Sequence, residues 1–299
     1  MSFLMILMCC REEPGTALTY GIRRRRRSPW ARIEAPRVAP CVNPQETASA
    51  RARRVREGHD PSVPALVHAG WATELPWLMQ GTTTRGAPGN EFDLGLFSGG
   101  SPSDLVHERW TRLLAATGMR AAVHARQVHE AGVRLHGGAS AGLSIVSPCD
   151  GHVTSEAGLL LAVATADCVP IFVVDPEERA VAVLHAGWRG TAAGVLERGL
   201  AVMSGDSDAR GLRVHLGPAI CGDCYEVGPE VFEALGEPVP SRATVLDLRD
   251  VLARRALEAG VDPSNVTVSE HCTRCTGSGL FSHRCGDRGR QVGYLGIRA

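Results

Sequence analysis

The apolar residues of this chain fall into short runs separated by Gly, Pro and acidic turns. The strongest run reads Ala162-Val-Ala-Thr-Ala-Asp-Cys168-Val-Pro-Ile-Phe-Val-Val174. After the turn Asp175-Pro176-Glu177-Glu178 it resumes as Ala180-Val-Ala-Val-Leu-His185. Unbroken apolar runs of this length on either side of an Asp-Pro turn predict buried strands. Residues 158–174 read as one long strand. Residues 103–117 read as a helix, with Ser103 to cap it, Leu105, Trp110, Leu113 and Leu114 as its apolar face, and Gly118 to end it. Further helices are expected over 191–203, 229–235 and 247–259, and further strands over 212–216, 266–269 and 293–297. Residues 121–133 read as strand, loop, strand. Helices and strands mix without a regular βαβ period. No internal repeat and no Gly-rich phosphate loop occurs.

The pattern changes before Trp77. Residues 1–76 carry the run Arg23 to Arg27, a second set at Arg51, Arg53, Arg54 and Arg56, several Pro, and no sustained apolar period. They are expected to be a disordered Arg-rich extension, with 77–299 as the folded domain. An arm that binds polyanions is the alternative for such Arg runs. The chain as a whole has 299 residues and a formal net charge of zero, which argues against a nucleic-acid partner. The apolar start, Ser2 to Cys10, is far below the roughly 20 residues of a membrane span. Ten Cys in a chain this large suggest reduced thiols rather than a disulfide framework. The expectation is a soluble, cytoplasmic protein with no membrane partner.

Three groups of residues carry candidate chemistry. Cys168 lies inside the first apolar run, His185 ends the second, and His129 lies upstream in Gln127-Val128-His129. One thiolate and two imidazoles at long, irregular spacing suit a three-ligand metal site with an open position. A buried structural Cys, or a Cys nucleophile with a His base, are the competing readings. Cys221-x-x-Cys224 and Cys272-x-x-Cys275 form a second group. Two such pairs can build a zinc site, but 47 residues separate Cys224 from Cys272. That is much longer than a zinc ribbon needs, and a fortuitous Cys221-Gly-Asp-Cys224 pair after a Gly-Pro turn is the competing reading. The third group, Ser282-His-Arg284-Cys285-Gly-Asp-Arg288-Gly-Arg290-Gln291, holds closely spaced guanidiniums suited to phosphate.

Thr165-Ala-Asp-Cys168-Val-Pro170 and His185-Ala-Gly-Trp-Arg-Gly190 are long, specific motifs. With Thr83-Thr-Arg85, Gln127-Val-His129, Leu216-Gly-Pro-Ala-Ile220, Tyr225-Glu-Val-Gly228, Cys272-Thr273 and Gly289-Arg-Gln291, they make residues 77–298 resemble the YfiH family. Its members are also called laccase-domain or multicopper polyphenol oxidase proteins and are regarded as purine nucleoside phosphorylases. The resemblance implies an α+β fold, a compact α/β/β/α sandwich of mixed sheets. It implies metal ligands and catalytic residues at His129, Cys168 and His185, with Zn²⁺ bound or Cu²⁺ as the alternative. It implies phosphorolysis of adenosine, inosine, guanosine and methylthioadenosine to free base and ribose 1-phosphate, with adenosine deamination beside it.

Arg85, Arg189 and Arg284 are the candidate substrate and phosphate ligands. Asp167 or Glu226 are candidates to orient a ligand His or move a proton. The chain departs from the family pattern at Glu130, where Gly is usual, at Asp93, where Asn is usual, and at Cys285, where a second Arg would offer a phosphate contact. A hydrolase that removes a wrongly incorporated Ser from a muramyl-peptide precursor is the first rival. A copper-dependent phenol oxidase is the second. The 11 His include no His-x-His pair, which argues against that rival.

Overall fold

In a computed structural model, residues 52–205 and 207–299 are described. Two seven-stranded sheets form the frame. The first runs, edge to edge, Arg53–Val55, Val266–Ser269, Arg213–Leu216, Val169–Asp175, Ala180–Ala186, Gly151–Thr154 and Val133–His136. The second runs Gly58–Asp60, Ala65–Val67, Leu78–Thr83, Gln291–Ile297, Leu159–Thr165, Ala121–Ala125 and Gly142–Val146. Both mix parallel and antiparallel pairs.

Side-chain alternation along a strand shows how the layers stack, because successive residues face opposite sides of a sheet. In Leu159–Thr165, Leu159, Leu161 and Val163 join Phe172, Val174, Val181 and Val183 of the first sheet in one buried cluster. Leu160 and Ala162 instead meet Val106, Trp110 and Leu113 of the helix Ser103–Thr117. On the far face of the first sheet, Leu184 packs under the helix Val195–Ser204. The approach there is so close that a Cβ on Gly199 would lie 2.4 Å from the Leu184 side chain. The result is helix, sheet, sheet, helix, as the family resemblance implies.

Three sequence expectations change. The domain boundary at 76/77 moves toward the N-terminus. Arg53–Val55 pairs in parallel with Val266–Ser269, and Ala65–Val67 pairs with Leu78–Thr83. Glu57 is buried and bonded to His215 Nε2 at 3.0 Å. Strands of three residues interrupted by Arg and Pro leave no apolar period to read, and the sheet edges supply their order. The expected extension over residues 1–51 lies outside the described residues.

Residues 158–174 are not one strand. The chain leaves the second sheet at Thr165 and enters the first at Val169. The break is at Asp167, whose φ is 88°. Asp tolerates the left-handed region better than most residues. Its carboxylate is also held by Thr273 Oγ1 at 2.5 Å and Arg284 N at 2.8 Å. The helix expected at 191–203 is likewise two helices, Trp188–Ala192 and Val195–Ser204, separated by Gly194 at φ 82°.

Candidate metal centre

The crossing between the sheets places Cys168 at the edge of a cavity. The end of Ala180–Ala186 places His185 there, and the loop after Ala121–Ala125 brings His129. The three potential donor atoms lie within 4.8 Å of one another. The imidazoles of His129 and His185 stand nearly perpendicular, with ring centroids 4.8 Å apart.

One carboxylate holds this arrangement. Asp150 is wholly buried, and each of its side-chain oxygens accepts from more than one donor. Oδ1 accepts from His129 N at 2.9 Å and from His185 Nδ1 at 2.9 Å. Oδ2 accepts from Val128 N at 3.1 Å and Glu130 N at 3.0 Å. A carboxylate only accepts, so His185 carries a proton on Nδ1, which leaves Nε2 to face the sulfur. The three N–H bonds also hold the loop with His129 at φ 63°, a conformation that costs free energy unless its surroundings impose it. Gln127 pins the same loop to the second sheet: its side chain donates to Ala164 O at 2.7 Å and accepts from Ala164 N at 2.9 Å.

The charges are coupled. Burial pushes the Cys168 thiol up. The positive charge of His185 and hydrogen bonds from His129 and His185 outweigh that and bring it to about 6. Burial lowers His185, but the Cys168 thiolate and the Asp150 carboxylate raise it to about 9. Two imidazoles and a thiolate are a good donor set for zinc or copper. Space for an ion is also kept: a Cβ on Gly187 would lie 3.0 Å from Cys168 Sγ and 3.2 Å from His129 Cδ2. The residues fit a metal.

The cavity beside the triad measures about 360 Å³, within the usual range for small-molecule sites, about 300–1,000 Å³. Phe97, His124, Arg126, His283 and Arg290 line it with the triad. Phe97 is 53% exposed and stacks near His124 at 5.9 Å. His124 is 1% exposed; Nδ1 bonds to Ala162 O at 3.0 Å and Nε2 has no partner. Burial draws its pKa down to about 4, so the ring is neutral and Nε2 is a bare acceptor. On another side of the triad, the Tyr225 phenol feels the charges of Cys168, Arg284, Asp167 and Arg189. Burial, the largest influence, leaves it at about 12.

Arg85, Arg189 and Arg284 lie apart from the cavity lining, whereas Arg290, in the same C-terminal group as Arg284, reaches it. Arg85 pairs with Asp287 and sits over the Phe281 ring at 4.5 Å. Arg189 sits over Trp188 at 4.3 Å. Arg284 stacks on Tyr225 at 4.9 Å and donates to Glu226 O at 3.0 Å. Asp167 bonds Thr273 and Arg284 rather than His129 or His185, and it is Asp150 that bonds His185 Nδ1. Asp150, His124 and Phe97 escape sequence reasoning because no local spacing links them to the triad. Gly187, inside the His-Ala-Gly-Trp motif, and Gln127, beside His129, did lie in motifs visible in the sequence.

Residues 79–298 match the family described as multi-copper polyphenol oxidoreductase laccase. This chain belongs to that family. The purine nucleoside phosphorylase YlmD of Geobacillus stearothermophilus is 36% identical over 238 residues, which is 71% of this chain and 85% of the relative. A purine nucleoside phosphorylase of Deinococcus radiodurans is 38% identical over 64% of this chain and 77% of its own length. A protein named adenosine deaminase RL5, from an unknown prokaryotic organism, is 38% identical over 45% of this chain and 56% of its own length. The crystal structure of Geobacillus YlmD superposes with a TM-score of 0.72 at 29% identity, covering 81% of this chain and 99% of that one. No helix among the described residues is long and apolar enough to cross a membrane.

Proposed function

We propose that this chain is a cytoplasmic, metal-dependent purine nucleoside phosphorylase. It converts adenosine, inosine, guanosine and methylthioadenosine, with phosphate, to free base and ribose 1-phosphate, and it also deaminates adenosine. One arrangement carries this reading: the His129, Cys168 and His185 donors, aimed by Asp150, open on a cavity fit for an aromatic base. The names of the relatives above agree with it. All the described cysteines are free, in keeping with a reducing compartment.

Zn²⁺ suits two imidazoles, a thiolate and an open position, and Cu²⁺ is the alternative soft-ligand ion. A metal held here supplies Lewis-acid stabilisation of charge developing on the substrate. The protein's own groups do the rest. Phe97 offers its ring face to the base. His124 Nε2 accepts from a ligand N–H or O–H, which satisfies an atom that otherwise stays buried and unpaired. The Tyr225 hydroxyl remains protonated at neutral pH and donates toward a phosphate oxygen, with Arg189 and Arg284 supplying positive charge beside it. Arg85 acts indirectly, fixing Asp287 and the loop that carries Arg284.

The test is base release. Purified protein of known metal content is incubated with adenosine and inosine, with and without phosphate, beside the Cys168→Ala variant. Phosphate-dependent adenine and hypoxanthine, absent from the variant, is the expected result. No base release from a folded, metal-loaded protein overturns the reading and moves the assignment to the muramyl-peptide hydrolase. Arg284→Ala is expected to raise the phosphate KM with metal content retained; unchanged phosphate kinetics remove that residue from the site.

A further inference from the structure

The two Cys-x-x-Cys pairs are far apart in sequence and adjacent in space. The sulfurs of Cys221, Cys224, Cys272 and Cys275 all lie within 4.8 Å of one another. Cys275 Sγ is 4.0 Å from Cys221 Sγ and 3.9 Å from Cys224 Sγ. A tetrahedral zinc ion with Zn–S bonds of about 2.3 Å sets its sulfurs about 3.8 Å apart. A disulfide needs about 2.05 Å.

The backbone is also arranged for a thiolate: Cys272 Sγ accepts from Cys221 N at 3.3 Å and from Arg274 N at 3.4 Å. Two loops supply the set. Cys221 precedes and Cys224 ends the single turn Gly222–Cys224. Cys272 and Cys275 follow the strand Val266–Ser269. The loops are joined by the bridge between Ala219 and Cys272, by Thr273 N to Ala219 O at 3.1 Å, and by Arg274 Nη1 to Cys224 O at 2.9 Å.

We infer that Cys221, Cys224, Cys272 and Cys275 hold a Zn²⁺ ion, separate from the His129, Cys168, His185 centre and structural in role. Four protein thiolates close the coordination shell, leaving no position for substrate. The thiols give up their protons to solvent on binding and undergo no redox change. The ion clamps one wall of the active site. Thr273, next to Cys272, bonds Asp167, which adjoins Cys168. Tyr225, next to Cys224, carries the Arg284 guanidinium on its ring. The clamp therefore joins two segments on which the first centre depends, although it touches no substrate.

Metal stoichiometry tests the inference on the full chain. After dialysis against metal-free buffer, elemental analysis is expected to find two zinc per chain in the wild type and one in Cys168→Ala. Cys275→Ser, at an exposed ligand, is expected to hold only the first-centre zinc. Mass mapping of the wild type gives an independent measure that requires no variant. The four cysteines are expected to resist alkylation until a chelator is added and then to react as free thiols. Cobalt alone, added to stripped Cys168→Ala, is expected to give the intense visible bands of tetrahedral thiolate coordination. A Cys168→Ala protein with no metal, disulfides among the four cysteines, ready alkylation before chelation, or iron in place of zinc overturns the assignment.

Discussion

The molecule carries two clusters of soft ligands, and they are built differently. His129, Cys168 and His185 project from strand ends and a pinned loop at a cavity of about 360 Å³. They number three, and a buried carboxylate aims two of them. Cys221, Cys224, Cys272 and Cys275 sit on two loops and number four, and Cys272 Sγ accepts from two backbone N–H groups. Ligand count and support separate the roles. An incomplete shell beside a cavity leaves room for a substrate, and its aim must be held by a further layer of contacts. A complete shell needs only to hold two loops together.

The largest expected effect breaks the first cluster outright. Cys168→Ala removes a donor and the thiolate that balances His185, so turnover is expected to fall by at least about 10³-fold with folding intact. That size is what loss of the group organising the reaction centre implies. Steady-state kinetics with circular dichroism check it. A variant retaining a tenth of wild-type kcat removes the triad from the chemistry.

Asp150→Asn comes next. It keeps the shape but turns one accepting oxygen into a donor facing N–H groups, and it releases the His185 tautomer. Loss of an outer partner of a metal ligand costs about 10–100-fold in affinity or activity. Metal titration of the stripped variant measures this directly. Unchanged affinity assigns Asp150 to loop folding alone.

How much of this was legible follows the same division. The triad was readable because its residues lie in long motifs whose order matched a family. Asp150 was not, because a carboxylate acts here through three backbone N–H groups and a ring that sequence spacing does not bring near it. The closeness of the four cysteines was discounted for an opposite reason. Their spacing was visible, but 47 intervening residues looked too long. Two helices, a pair of two-residue antiparallel strands and the strand Val266–Ser269 lie in that interval and return the chain to its starting point. The sheet crossing at Asp167 was hidden because the apolar run continues across it. Both sheets want the same residues, and only a backbone angle marks the change.

Cys275→Ser sharpens the contrast with a smaller effect. A site filled at about a hundred times its Kd contributes about 2.7 kcal/mol, so its loss is expected to lower Tm by about 5–10 °C. KM is expected to rise a few-fold as the Tyr225 wall loosens, with kcat nearly unchanged. A collapse of kcat equal to that of Cys168→Ala would mean that the two clusters are one catalytic unit.

The subtlest contrast lies in the metal-stripped protein, in the order in which thiols react as pH rises. Cys168, opposed by burial but favoured by its two histidines, titrates at about 6. Cys272, also opposed by burial, is brought to about 7 by N–H groups of Cys221, Arg274 and Cys275. Cys221 is pushed to about 11, first by burial and then by neighbouring sulfurs; Cys275 reaches about 12, first through its bond to Cys272. A lowered thiol pKa raises the thiolate fraction as pH climbs through the lowered value, so alkylation of Cys168 should rise through about pH 6 and be level by pH 8. Its intrinsic nucleophilicity falls with its pKa, so at pH 7 the net gain over an ordinary thiol is only a few-fold. The midpoint is therefore the readout, measured by mass mapping across pH. Asp150→Asn should move that midpoint up, because an imidazole without its carboxylate holds its proton less firmly and stabilises the thiolate less. A midpoint that stays put in this variant would show that Asp150 sets the geometry of the first cluster but not its charge.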